Sequence, residues 1–261
     1  MTNTNCLNCG KALSDKFCSG CGQKADTHRI SFGNFLYHDV LHGTFHIDKG
    51  MLFTARQALT RPGQAALDYI AGKRKRYYNV FLLILITIGI MLFIRHLDQW
   101  FDSQAAEVIT QREFPNEASR KLDEIITQKT FIFLFVPFAA FNSYILFRRK
   151  NLNLSEHFII SGMILLGILI IGTFGNVLFH LNRLIRLNDT FLSWLITAVI
   201  LLYICFGYFN TFRGDYTRFG IIYRTLLFFG LIAFELVILF FLLFGYFSNW
   251  QYGEVLLTPF G

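Results

Sequence analysis

Residues 158–179 read FIISGMILLGILIIGTFGNVLF and contain no charged side chain. At about 1.5 Å per residue, a helix of this length spans a hydrocarbon core of ~30 Å. Four more runs of the same character flank it, at 77–94, 130–147, 191–209 and 225–247. None of the five contains Lys or Arg. Hydrophobic residues make up 54% of the chain and charged residues only 16%. Because the apolar residues are bunched in long runs, the expected fold class is an all-α membrane protein with a five-helix transmembrane bundle. Pro137 lies inside the second run and is expected to kink it. Gly162, Gly167, Gly172 and Gly175 in the third run are expected to allow close helix approach.

The net charge is +7. In a soluble protein that balance would point to nucleic acid, but here the cations sit at the ends of apolar runs and read as an orientation signal. With a cytosolic N-terminus, 17 Lys and Arg fall on the inner side and 7 on the outer side. The run Lys73-Arg74-Lys75-Arg76, directly before the first span, is the strongest part of that signal. Five spans then place the C-terminus outside. No signal peptide is expected, and the first span would act as the insertion signal. The outer loop 95–129 carries seven carboxylates and an expected helix after Pro115. No internal repeat is evident.

Outward from the spans lie two smaller regions. Residues 26–76 show amphipathic periodicity without a run long enough to cross a bilayer, and they read as juxtamembrane helices lying on the surface or packed under the bundle. One begins near Ser31. A second covers 49–60 and is broken at Arg61-Pro62-Gly63. A third covers 64–71 and ends at Gly72. Residues 1–25 are polar, rich in Gly and Cys, and too short to bury a core, so metal is the expected substitute. The domain plan is therefore a ribbon at 1–25, juxtamembrane helices at 26–76 and the spanning domain at 77–261.

Cys6-Leu7-Asn8-Cys9-Gly10 and Cys18-Ser19-Gly20-Cys21-Gly22 form two CxxC pairs, each followed by the glycine that a knuckle turn needs. Cys6, Cys9, Cys18 and Cys21 together make a closed S4 ligand set for one structural zinc; iron would use the same ligands. Paired CxxC motifs also suit a reducing compartment. The fifth cysteine, Cys205, reads as an inert packing residue. Lys11, Lys16, Lys24 and Arg29 lie near the ribbon and fit lipid head groups or a protein partner better than nucleic acid.

Other residues carry weaker signals. His38, His42 and His46 fall at i, i+4 and i+8, with Asp39 and Asp48 nearby, which suits either a polar interfacial face or a second metal site. Glu235 sits roughly 16 Å from Arg224 along the last span, at ~1.5 Å per residue. A carboxylate there is a functional candidate or a hydrogen-bonded strut, and Asn142 is a polar side chain suited to meet it. Glu156-His157 opens the third span as a helix cap or as an acid/base pair. No GxSxG, HExxH, GxxxxGK[ST] or GxGxxG motif is present, which lowers the expectation of an enzyme.

The ribbon ending Cys21-Gly22-Gln23-Lys24, then Asp48, Thr54, Pro62-Gly63, Tyr69, Gly72-Lys73-Arg74 and Glu156-His157, resembles an uncharacterised family of bacterial membrane proteins. That family is common in Bacteroidetes-type bacteria and is known only as a domain of unknown function. The stretch from Asp48 to Arg74 carries the resemblance most specifically. Val80 departs from the pattern, because the family often has Pro shortly after its Tyr-rich motif. The resemblance implies an inner-membrane protein with a ribbon and supplies no activity. Structurally, Asp48 suits a helix cap, Thr54 lies within a helix, and Gly63 and Gly72 suit tight turns.

Three functional readings follow. The leading one is a non-enzymatic adaptor or assembly factor that docks a protein partner through the ribbon. The second is a small transporter or channel subunit with Glu235 in the path. The third is a lipid-acting membrane enzyme using Glu156 and His157.

Overall fold

The computed structural model describes residues 4–27, 49–105, 130–185 and 188–247. Among them are seven α-helices: α1 (Lys49–Thr60), α2 (Pro62–Ile70), α3 (Val80–Ala105), α4 (Thr130–Leu146), α5 (Leu154–Ile185), α6 (Asp189–Phe212) and α7 (Arg218–Phe247). Four of them, α3, α5, α6 and α7, are long and apolar enough to cross a membrane. α4 has 17 residues and stays helical through Pro137; its apolar window, Leu134–Leu146, is shorter than theirs. The chain is a helical membrane protein. The helix expected from Ser31 with its His38, His42 and His46 stripe, Asp39 and Asp48, and the helix after Pro115 all lie outside the described residues.

Polar caps set the helix starts. α3 begins at Val80, three residues later than hydropathy alone suggests, because Asn79 Oδ1 accepts the Phe81 and Leu82 amides at 3.0 and 3.2 Å. α5 begins at Leu154, four residues early, because Asn153 and Glu156 form a reciprocal capping box. The Glu156 amide donates to Asn153 Oδ1 at 2.9 Å, and the Asn153 amide donates to Glu156 Oε2 at 2.8 Å. Asn188 caps α6 by accepting the amides of Thr190 and Phe191. Pro62 occupies the first turn of α2, where its missing N–H costs α2 itself no intrahelical bond.

α5 is the hub. It packs against α1, α2, α3, α4 and α6, and it is the most buried of the long helices. Its small residues admit the neighbours: a Cβ on Gly162 would press on the Phe81 ring, and one on Gly175 on Ile196. One on Gly167 would overlap the Tyr203 hydroxyl, whereas one on Gly172 would meet nothing within 4 Å. Three of the four glycines singled out by sequence therefore serve close approach, and Gly172 does not. α7 touches α4 and α6 and leaves most of its surface facing outward.

α1 and α2 are packed into one end of the bundle, against α5 and α6. Ala58, Ala65 and Ala66 are fully buried there. The corner between the two helices has a definite chemical requirement. Ala58 O would normally accept the amide of residue 62, but residue 62 is proline and has none. The Tyr203 hydroxyl donates to that carbonyl instead, at 2.5 Å. Beside it, the Gln64 amide donates to Asn210 Oδ1, and Gln64 Nε2 donates to Asn210 O, both at 2.9 Å. A Cβ on Gly63 would overlap the Thr211 backbone. The expectation of a tight turn at Gly63 is thus corrected: its φ is not positive, and glycine is needed for contact with α6.

Gly167→Ala is expected to cost about 1–3 kcal/mol through overpacking against Tyr203, while Gly172→Ala is neutral or slightly stabilising. Thermal unfolding in detergent should separate the two variants; equal midpoints would remove the close-approach argument.

Candidate metal centre and buried polar groups

Each CxxC closes by the same backbone bonds. In the first knuckle the Gly10 amide donates to Cys6 O and the Cys6 amide donates to Lys11 O, both at 2.8 Å. In the second, the Gly22 amide donates to Cys18 O and the Cys18 amide to Gln23 O, again at 2.8 Å. Gly10 and Gly22 have φ of 78° and 70°, a left-handed conformation that favours glycine. The flanking bridges, Asn5 with Ala12 and Phe17 with Lys24, are both antiparallel. Every pair in this comparison is offset by twelve residues. The ribbon is therefore one knuckle used twice, a repeat that the differing spacer residues hide in the sequence.

The duplication brings four sulfurs together. Cys6, Cys9, Cys18 and Cys21 each offer one Sγ, and all lie within 4.8 Å of one another. Cys6 Sγ is 3.6 Å from Cys21 Sγ, and Cys9 Sγ is 3.5 Å from Cys18 Sγ. A tetrahedral ion with metal–sulfur bonds near 2.3 Å implies sulfur separations of about 3.8 Å, so the set fits a metal ion. The local dipoles point the same way. A hydrogen bond from the Asn8 side chain, then the Gln23 amide, lowers the Cys21 thiol to about 6. The Gly20 amide, 3.4 Å from Cys18 Sγ, lowers Cys18. At Cys9 the Lys11 amide lowers the pKa, but the neighbouring thiols and burial outweigh it and raise Cys9 to about 11. Hydrogen-bond donors thus favour the charged sulfur at Cys18 and Cys21, and a cation would oppose the upward push at Cys9.

The ribbon is held to the bundle by contacts that the sequence did not reveal. Gln23 Nε2 donates to Gly72 O at 2.8 Å, and the Lys75 amide donates to Gln23 Oε1 at 3.2 Å. Gln23 is buried. Leu7, from the other knuckle, lies over Gly72, where an added Cβ would stand 2.6 Å from Leu7 Cδ1. Gly72 has φ of 95°, so a side chain there would meet both backbone strain and Leu7. Both knuckles thus grip the turn that leads into α3. The start of α3 is also fixed by Thr54. Its hydroxyl donates to Gly50 O at 2.7 Å and accepts the Tyr78 amide at 2.8 Å, fully buried. Nearby, Asp68 takes the Lys73 ammonium at 2.7 Å. Burial, then the Asp68 charge, pushes the Tyr77 hydroxyl up to about 12, so it stays a donor to Asp68.

The other sequence candidates fall in two places. Glu235 on α7 is half-buried and accepts a hydrogen bond from Asn142 Nδ2 on α4 at 2.9 Å. Glu156 and His157 are both buried at the start of α5. The Glu156 carboxylate takes part in the capping box, and His157 Nδ1 shares a 2.5 Å hydrogen bond with Ser143 Oγ. Ser143, His157, Ser161 and Tyr208 form a buried polar cluster between α4, α5 and α6. Among the described residues, His157 Nε2 has no hydrogen-bond partner, and the Ser161 and Tyr208 hydroxyls lie close to one another without good hydrogen-bond geometry. Ser143 and Tyr208 come from distant runs that looked purely apolar, so no local pattern marked them.

One metal ion per chain is expected by elemental analysis. Cys6→Ser or Cys18→Ser should lose it, and acidification should release it as protons compete for the thiolates. Gln23→Ala should keep the metal but speed amide exchange at Lys75.

Comparison with curated proteins and with solved structures returns no match. Residues 48–92, which cover α1, α2, the gripped turn and the first half of α3, match the family model described as "Protein of unknown function (DUF3667)", so the resemblance carried by Asp48 to Arg74 is to a domain of unknown function.

Proposed function

We propose that this chain is a multi-pass inner-membrane protein in which five helices anchor a cytosolic zinc ribbon, and that the ribbon docks a protein partner without catalysing a reaction. The observation that carries this reading is the double grip on the Gly72–Lys75 turn. A four-cysteine site closed on all sides offers a substrate no coordination position, so its metal serves shape. Gln23 and Leu7 fix that shape to the bundle, while Phe17 on the second knuckle remains 60% exposed. A rigid knob with an exposed aromatic suits protein contact. A four-sulfur tetrahedral set favours zinc, with iron as the alternative that metal analysis separates.

Two observations support the topology. α4 packs between α5 and α7, which suits a fifth crossing despite its 17 residues. The Arg148–Lys150 turn meets Asp215 and Tyr216, so the basic turns before α5 and before α7 lie at the same end of the bundle. The excess of positive charge assigns that end, with the ribbon, to the cytosol and the C-terminus to the other side.

Transport through Glu235 is the second reading, favoured by a carboxyl group within a long apolar helix. Its bond from Asn142 serves equally as a strut between α4 and α7. The lipid-enzyme reading requires Glu156 and His157 on an open cleft, and both are buried with the carboxylate engaged in a cap.

Affinity purification in mild detergent is expected to yield a partner with the intact chain, and to lose it with Cys6→Ser/Cys9→Ser and with Phe17→Asp, which leaves the metal in place. Retention of the same partner by both variants would sink the docking reading. Proton-coupled flux in vesicles that disappears in Glu235→Gln would establish the second reading instead.

A further inference from the structure

The outward face between α6 and α7 holds a cavity of about 290 Å³. Cys205, Phe206 and Phe209 line it from α6, and Ile221, Ile222 and Leu226 line it from α7. Thr225 on α7 also lines it, and its hydroxyl donates to Ile221 O at 2.9 Å. The lining is therefore apolar, and the surrounding side chains are open to the bilayer: Ile222 is 55% exposed and Leu226 65%.

The helical register carries this groove straight into two cations. Arg213 follows Phe209 by four residues and Cys205 by eight, and its backbone is still right-handed helical. Arg218 precedes Ile222 by four residues and Leu226 by eight. Residues spaced by four lie one above the other on a helix, so the two arginines cap the groove's two walls. The distance from Leu226 to Arg218 is about 12 Å along the axis, at 1.5 Å per residue. Both arginines are exposed, and among the described residues no hydrogen bond or ion pair engages either side chain. The one carboxylate in the intervening turn, Asp215, is committed to Lys150 at 2.9 Å. Tyr216 in the same turn is covered by the guanidinium groups of Arg149 and Arg224. The turn thus neutralises its own carboxylate and leaves Arg213 and Arg218, one helical turn beyond Phe209 and Ile222, as exposed cations at the same end as the apolar slot.

We propose that this groove is a binding site for an anionic phospholipid, with an acyl chain between α6 and α7 and the phosphate held by Arg213 and Arg218. Guanidinium groups match phosphate in geometry and charge. The slot and the cations stand at the separation of a lipid's upper chain and its headgroup. The site depends only on the membrane-spanning helices, so it stands or falls independently of the ribbon's role.

The test uses the full chain in nanodiscs of phosphatidylcholine with or without phosphatidylglycerol, read by the lipid retained in native mass spectrometry. The chain should retain phosphatidylglycerol in preference to phosphatidylcholine. Arg213→Gln/Arg218→Gln should weaken that preference by roughly thirtyfold, from the usual contribution of two basic residues at an anionic membrane surface. Arg213→Lys/Arg218→Lys should restore part of it, and inorganic phosphate alone should not compete. Leu226→Trp, which fills the slot from a lipid-exposed position, should also reduce retention, while Arg148→Gln at the same end should not. Equal unfolding midpoints in phosphatidylcholine establish that the variants are folded. If Arg148→Gln is as damaging as the double variant, the preference is diffuse surface charge and the site is refuted. No effect of Leu226→Trp refutes the groove.

Discussion

The carbonyl of Ala58 ends a helix inside a bundle, and the residue that should bond it is a proline. An unsatisfied carbonyl there costs about 1–3 kcal/mol, and no bulk water inside a membrane bundle relieves it. Tyr203 supplies the missing hydroxyl from α6, and it reaches the carbonyl because position 167 on α5 has no side chain. Three elements far apart in sequence are locked by that one bond. Once α1 and α2 are held, Thr54 can receive the Tyr78 amide and fix where α3 begins. The turn before α3 then presents Gly72 O and the Lys75 amide to Gln23, and the ribbon has something to hold. The chain of dependence runs from the α1–α2 corner at one end of the bundle to the four-cysteine knob.

Much of this was legible in the sequence, and the reason is physical. Hydropathy reports burial in lipid directly, so the apolar runs at 158–179 and its neighbours mark their helices. A CxxC followed by glycine is a local geometry, and it needs no distant partner to be recognised. Arg61-Pro62 stops one helix and starts another by chain stereochemistry alone. The helix limits were less exact because Asn79 and the Asn153–Glu156 pair, rather than hydropathy, decide them.

What stayed hidden depends on residues brought together from far away. Gly63 looked like a turn residue, yet it exists for contact with Thr211 in α6. Thr54 looked like an ordinary helical position until the Tyr78 amide arrived. Gln23 sits beside a cysteine knuckle and gives no local hint that it reaches residues 72 and 75. Ser143 and His157 became a pair only when α4 and α5 packed, and Tyr208 joined them from α6. Each of these is a polar group whose partner lies in another element, and single-sequence periodicity carries no record of such pairings.

The bond between Tyr203 and Ala58 joins residues 145 apart in the chain. At translation rates of 5–20 residues per second, the ribosome makes Ala58 roughly ten seconds before its partner exists. The four-cysteine ribbon closes through backbone bonds among its own residues, so it can mature almost at once. The α1–α2 corner must wait, its carbonyl open, until the last third of the chain has been threaded into the bilayer. Biogenesis of this protein therefore has a built-in delay. During that delay the most closely fitted part of the finished molecule is the part that stays unfinished longest.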